Sequence, residues 1–293
     1  MHKSSALVIA LLASILVAGR SPAQEPDTTR AGNEKVAEIM RTFGGRGVMA
    51  DDSDPTAATD AVKQFSIRKG FGLEVAASEP IVAQPLFVSW DSRGRMWVVQ
   101  YRQYQYPAGL KVIRFDQHLR AVFDKVPDPP PTGTPGLDKI TVHEDTDGDG
   151  TYDKHKEVLS NLNIATSVQV GDGGIWVLNP PYLLRYPDAD RDDVPDGDPE
   201  VHLSGFGLQD THSVANSLLW GPDGWLYGCN GSTTVGDVSS AVTKGVRFQG
   251  QCVWRYHPES RVFEIYAEGG GNTFSLDIDS KGRVFTGTNG GNT

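Results

Sequence analysis

Cysteine is almost absent from this chain of 293 residues, which has two, Cys229 and Cys252. That excludes a disulfide-stapled scaffold and a cysteine-rich zinc site. No Cys-x-x-Cys-His is present, so no haem is attached covalently within the chain. Basic residues are scarce as well: 27 Lys and Arg stand against 37 Asp and Glu, a formal net charge of −10. Nucleic-acid binding needs clustered Lys and Arg, and none occurs. Long apolar runs are missing too. The longest, 6–18, has 13 residues, short of the roughly 20 that span a bilayer. No glycine fingerprint follows a strand and opens a helix, which argues against a nicotinamide cofactor.

The apolar run 6–18 follows His2 and Lys3 and fits the core of a signal peptide. Ser21 and Ala23 occupy the −3 and −1 positions before Gln24. Cleavage there leaves 25 basic against 37 acidic residues, a net −12. The expectation is an exported protein, periplasmic or secreted, with membrane association open and no transmembrane span in the mature chain. An uncleaved anchor is the alternative. Arg20 stands where a lipoprotein needs its cysteine. Residues 24–60 read as linker, with a short helix over 33–43 carrying Val36, Ile39 and Met40 on one face.

What the chain does have is turns. Gly and Pro number 33 and 18, a composition that favours all-β architectures. A hairpin signature, apolar alternation around a tight polar turn, recurs four times from Val88, Val168, Leu218 and Leu276. Trp97, Trp176, Tyr227 and Phe285 hold equivalent places, 79, 51 and 58 residues apart. Second elements begin near Asp138, Tyr182 and Cys252, and third elements near Lys156, Glu200 and Arg261. Four short strands per unit of roughly 40–50 residues predict a β-propeller over 61–293, six-bladed when complete. About three and a half blades are present here. The fourth unit stops at Thr293 and the segment 72–76 reads as a strand completing a last blade, so the expectation is a truncated domain. An insertion over 103–136, rich in proline, stretches the first unit. If the Cys229 and Cys252 strands are neighbours, a disulfide is feasible; two buried thiols are the alternative.

Two acidic loops share one spacing. Asp145, Asp147, Asp149 and Asp153 fall at positions 1, 3, 5 and 9, and Asp188, Asp190, Asp192 and Asp196 repeat this 43 residues later. Alternate carboxylates on a tight loop converge on one point, as Ca²⁺ requires. Gly150 makes the turn in one loop and Asp193 replaces it in the other. Lys156 and Pro199 stand where an EF-hand has Glu, and Glu157 and Glu200 come one residue later. The predicted role is a structural Ca²⁺ pin between third and fourth strands; two solvated turns are the alternative.

The densest unusual segment is 210–216. His212 suits a general base and Asp210 its support. The competing reading is a structural histidine. Asn216, and Asn272 after three glycines, are candidate ligand contacts. Ser213 lacks a nucleophile-elbow context.

Residues 71–80, 94–99 and 210–227, the Asp loops, 248–251 and 287–293 resemble the N-terminal propeller of the membrane-bound dehydrogenase family of planctomycete-type bacteria. The match covers roughly 35–293. It implies a propeller continuing beyond Thr293, with helical repeats and a haem-binding cytochrome domain as electron acceptor. More distantly, the chain is similar to quinoprotein glucose and sorbosone dehydrogenases, six-bladed propellers that use pyrroloquinoline quinone and Ca²⁺. Their catalytic His precedes a Gly-Pro-Asp hairpin, as His212 precedes Gly221-Pro222-Asp223. Gly271 stands where those enzymes carry Arg. The resemblance implies oxidation of a sugar or alcohol, with His212 taking the hydroxyl proton. A non-catalytic propeller binding a glycan or protein, and a metal-dependent lactonase-type hydrolase, are the other readings.

Overall fold

A computed structural model describes Glu38, residues 56–232 and residues 234–288. The chain divides into two units, Met1–Gly45 and Arg46–Thr293. The expected signal peptide lies outside the described residues, as does the short helix save for Glu38. In the second unit one helical turn, α1 (Ala58–Ala61), runs into a 3₁₀ turn at Val62–Gln64. Everything else regular is strand: among the described residues the protein is all-β, built of antiparallel sheets, none of them closed. No helix among the described residues is long and apolar enough to cross a membrane.

The first sheet orders β1 (Pro85–Trp90), β2 (Met96–Gln100), β5 (Asp138–Glu144) and β6 (Lys154–Leu162) side by side. The second runs β7 (Ser167–Gly171), β8 (Gly174–Asn179), β9 (Tyr182–Pro187) and β10 (Glu200–Phe206). The third runs β11 (Ala215–Trp220), β12 (Leu226–Asn230), β15 (Cys252–His257) and β16 (Val262–Glu268). A final pair is β17 (Thr273–Ile278) with β18 (Val284–Thr288). All four predicted hairpins form, as do the second and third elements of the first three units. The equivalent aromatics sit on β2, β8, β12 and β18.

Two hairpins lie outside that pattern. The insertion carries β3 (Val112–Phe115) and β4 (Ala121–Phe123). Between β12 and β15 the chain forms β13 (Val235–Ser239) and β14 (Val246–Gln249). This hairpin pairs with β10 of the neighbouring sheet and widens it to six strands. The segment 72–76 forms no strand. It has no ladder partner among the described residues, and Ala76 O accepts only the N–H of Tyr152.

The sheets stack face to face because their strands are apolar on both sides. Ile175 and Val177 of β8 pack with Trp97, Ile140 and Val142 of the first sheet. Trp176 and Leu178, the alternate residues, pack with Leu218, Trp254 and Tyr256 of the third. A strand buried on both faces reads as a continuous apolar run, as β8 does. The leading strands are tied in series. Ser89 Oγ donates to Val168 O, Thr166 Oγ1 to Ala215 O, and Gln169 Nε2 to Leu218 O. Ser217 Oγ accepts from Ser275 N.

The two cysteines illustrate how register overrides proximity. β12 and β15 are neighbours, but Cys252 faces Asn230 and Cys229 faces Val253. Side chains alternate along a strand. Cys229 therefore packs with Leu276 and Val284, while Cys252 lies in the other core with Trp254. Both are free and buried, and burial pushes each thiol up to about 12. We expect a maleimide to label neither cysteine in the folded protein and both after denaturation, with or without reductant. Two labels gained only after reduction would contradict the register.

Candidate functional site

The segment between β10 and β11 is held by its own first residue. Asp210 O accepts from Ser213 N, and Asp210 Oδ1 accepts from His212 N at 3.1 Å. The same oxygen takes the Nδ1 proton of His212 at 2.9 Å. That fixes the tautomer: Nε2 carries the lone pair and accepts from the Tyr104 hydroxyl. The Tyr104 ring meets the imidazole edge-on, with centroids 5.1 Å apart. Burial, then the charge of Asp210, raise the Tyr104 hydroxyl above its ordinary pKa, so it stays a donor at neutral pH. Tyr104, His212 and Asp210 thus form a chain of phenol, imidazole and carboxylate. His212 remains largely exposed, its side chain at 60%.

The insertion places Tyr104 there. Tyr101 OH donates to Thr211 O, and Thr211 Oγ1 donates to Gln105 O at 2.6 Å. The β3–β4 hairpin docks beside them through Ala121 N to Gln209 O. A cleft of about 220 Å³ results, lined by Tyr106, His118, Arg120, Gln209, Asp210 and His212 among others. Arg120 is tied to Asp116 at 2.6 Å. Buried Asp138 opens β5 and accepts from Gln103 N and Ala165 N. Burial lifts it to about 6 against those hydrogen bonds.

The sequence reading missed Tyr104 and the hairpin beside it. A signal existed. Asp91 takes N–H bonds from Arg93 and Arg95 and holds the Arg95 side chain, and Asp279 repeats this with Lys281 and Arg283. Asp116 does the same with His118 and Arg120. The spacing Asp-x-x-x-Arg thus marks a hairpin turn inside the insertion. Leu119, at φ +61°, stands where the other two turns have glycine at +75°.

Neither asparagine side chain hydrogen-bonds to His212, Asp210 or Tyr104. Asn216 is buried in β11. Its amide donates to Val214 O and Thr273 O, and its Oδ1 accepts from Ser217 Oγ. It stitches β11 to β17. Asn272 stands beside Gly231 and Ser213, and its buried Oδ1 has no hydrogen-bond partner.

In each acidic loop three carboxylates converge. Oxygens of Asp145, Asp147 and Asp149 lie within 4.8 Å of one another, and those of Asp188, Asp190 and Asp192 do likewise. Two ligands at ~2.3–2.6 Å from one Ca²⁺ span that distance. The fourth members close the loops instead: Asp153 takes both Thr146 donors, and Asp196 Oδ2 takes Ala189 N. Glu157 pairs with Lys139, and Glu200 with Arg185. Gly150 has φ +93° and Asp193 +64°, the same left-handed turn at the same place. Burial, reinforced by the charges of Asp193 and Asp192, holds Asp188 above its ordinary pKa.

Asp193 does more than turn the chain. Arg95 donates to it at 2.5 and 2.8 Å, and Arg93 reaches it at 3.2 Å. Arg95 also grips Asp91, whose Oδ2 takes Trp97 Nε1. The second loop is thereby bolted to the first sheet.

No curated protein matches the chain. Residues 57–293 match the family model of a domain of unknown function, DUF7133, and the chain belongs to that family.

Proposed function

We propose that this chain is part of an exported, Ca²⁺-binding β-propeller that oxidises a sugar or alcohol at His212. Four-strand antiparallel meanders stacked face to face, with leading strands tied in series, support reading the sheets as propeller blades. One observation carries the catalytic part: Asp210 takes Nδ1–H, leaving the Nε2 lone pair, now accepting from Tyr104, on a histidine that lines a cleft. A hydroxyl that displaces or joins Tyr104 there meets a general base. Asp210 stabilises the imidazolium that forms. Tyr106 and Gln209 supply polar contacts suited to a polyhydroxylated substrate.

The resemblance implies pyrroloquinoline quinone, a tricarboxylate. Among the described residues the cleft answers it poorly. Arg120 is engaged by Asp116, Asn216 is consumed by backbone, and the Asn272 Oδ1, buried without a partner, is an acceptor that a carboxylate cannot use. These residues do not fit the quinone; His212 takes the hydroxyl proton, and the hydride needs a quinone-class acceptor held by groups other than these. The Asp loops do fit Ca²⁺. At a hundredfold excess over Kd, each filled loop adds about 2.7 kcal/mol. We expect Ca²⁺ to raise the melting temperature by several degrees and a chelator to reverse it. Asp188→Asn and Asp145→Asn each remove one loop's share. No shift with Ca²⁺ would leave the loops as solvated turns.

The test of the whole reading is turnover. Aldoses and alcohols are offered with Ca²⁺, added quinone and a redox dye. Dye reduction by one substrate class supports oxidation. Lactone hydrolysis without dye reduction transfers the site to the hydrolase reading. Saturable glycan binding with neither activity makes it a binding propeller.

A further inference from the structure

One row of side chains crosses the first sheet on the face turned away from the second. Register places Trp90 opposite Met96, Met96 opposite His143, and His143 opposite His155. Residues directly opposite share a face. Met96 packs with Val82 and Val98 in a core separate from that of Trp97 and Val99, which fixes which face this is. A thioether and two imidazoles therefore stand side by side on adjacent strands. His143 and His155 are stacked at 24° with ring centroids 6.0 Å apart.

His143 is the unusual member. It is fully buried, and its Nδ1 has no hydrogen-bond partner. A buried imidazole nitrogen left unpaired is unfavourable, and a ligand that fills the position recovers the lost interaction. The other nitrogen is already anchored. His143 Nε2 lies 2.8 Å from Thr141 Oγ1, which in turn takes Gln100 Nε2 at 3.1 Å. Metal-bound imidazoles are oriented this way, one nitrogen on the metal and the other N–H on a fixed oxygen. Thr141 Oγ1 has two lone pairs and can accept from both.

We propose that Met96, His143 and His155 bind a soft monovalent cation, Cu(I). The ligand set decides the ion. It is neutral and contains a thioether, which hard ions such as Ca²⁺ do not use. A structural Zn²⁺ takes four ligands and favours thiolate or carboxylate among them. A thioether with imidazoles selects Cu(I). His155 is exposed and gives the ion its way in, while buried Met96 and His143 hold it out of water. The acidic loop begins two residues after His143, so a hard-ion site and a soft-ion site share one hairpin without sharing ligands. This assignment is independent of the chemistry at His212.

The intact chain is titrated anaerobically with Cu(I) against a coloured Cu(I) chelator, with Ca²⁺ in excess to fill the Asp loops. One equivalent is retained by the unmodified chain. His155→Gln, an exposed change, and Met96→Leu, which conserves volume, each weaken retention at least about tenfold. X-ray absorption of the loaded protein shows one sulfur and two nitrogen neighbours at copper, and the sulfur is lost in Met96→Leu. Retention unchanged in both variants overturns the site. Binding of Zn²⁺ with no retention of Cu(I) overturns the choice of ion.

Discussion

His212→Gln lowers substrate turnover by about 10²–10⁴-fold, the range that a positioned general base supplies. Glutamine keeps a polar group near Asp210 and Tyr104 but cannot take a proton. The fold is spared, because the His212 side chain is 60% exposed and packs against no core. The loss therefore falls on kcat, with KM little changed. Asp210→Asn produces a smaller loss. The amide no longer stabilises the imidazolium, and it can stabilise the wrong tautomer by donating to Nδ1. Tyr104→Phe separates two roles for the phenol. If Tyr104 merely occupies Nε2 until substrate arrives, its removal leaves kcat intact and lowers KM. If it carries the proton outward, kcat falls with it. Equal turnover by His212→Gln and the unmodified chain removes the base from this position.

The second large effect is on stability. Arg95→Ala destabilises the protein by about 3–5 kcal/mol, read from chemical denaturation. The Arg95 side chain is 11% exposed, and its two carboxylate partners, Asp91 and Asp193, are 6% and 9% exposed. Truncating the guanidinium takes the main partner from two buried carboxylates at once and leaves them only the more exposed Arg93, 3.2 Å from Asp193 and 3.9 Å from Asp91. Asp193→Asn costs less, because Arg95 keeps Asp91 and the amide still accepts. Arg95→Lys recovers only part, since one ammonium cannot reproduce the planar fork that serves both carboxylates.

The same network sets a pH signature. Burial pushes Asp91 and Asp193 up, but hydrogen bonds and the charge of Arg95 outweigh it and hold both below the ordinary 3.8. Native values below unfolded ones mean that the unfolded chain binds protons first as pH falls. The contribution is complete above about pH 4 and is lost as pH drops through the depressed native values. In Arg95→Ala the two carboxyls rise instead, so acid unfolding begins at higher pH. A denaturation midpoint that follows the same acid profile in both proteins would disconnect the network from stability.

Much of the strand order was legible in the sequence for a local reason. A hairpin is written in consecutive residues: apolar alternation, a turn that tolerates positive φ, then alternation again. The turns at Gly94, Gly224 and Gly282 announce β1–β2, β11–β12 and β17–β18. The Asp loops were equally local, since alternate positions on a tight turn converge whatever lies around them. Asp210 and His212 are two residues apart, so their hydrogen bond also needs nothing distant.

What the sequence could not determine depends on residues far apart in the chain. Nothing local to Tyr104 announces that it meets His212, 108 positions later. That contact exists because the insertion folds back and is clasped by Thr211 and Gln209. The β13–β14 hairpin lies within the third unit's span, yet it pairs with β10 because β10 presents an open edge. The expected strand at 72–76 has suitable residues, but a ladder needs a partner, and none is among the described residues. Asp153 and Asp196 share the loop spacing, yet the oxygens that converge come from the first three positions, while Asp153 takes both Thr146 donors and Asp196 the Ala189 N–H. The two cysteines show the rule most simply. Their strands are neighbours, the condition a disulfide needed, but a one-residue offset in pairing sends the sulfurs to opposite faces. Composition and spacing determined the repeated hairpins; register and docking decided the remaining strands and which side chains meet.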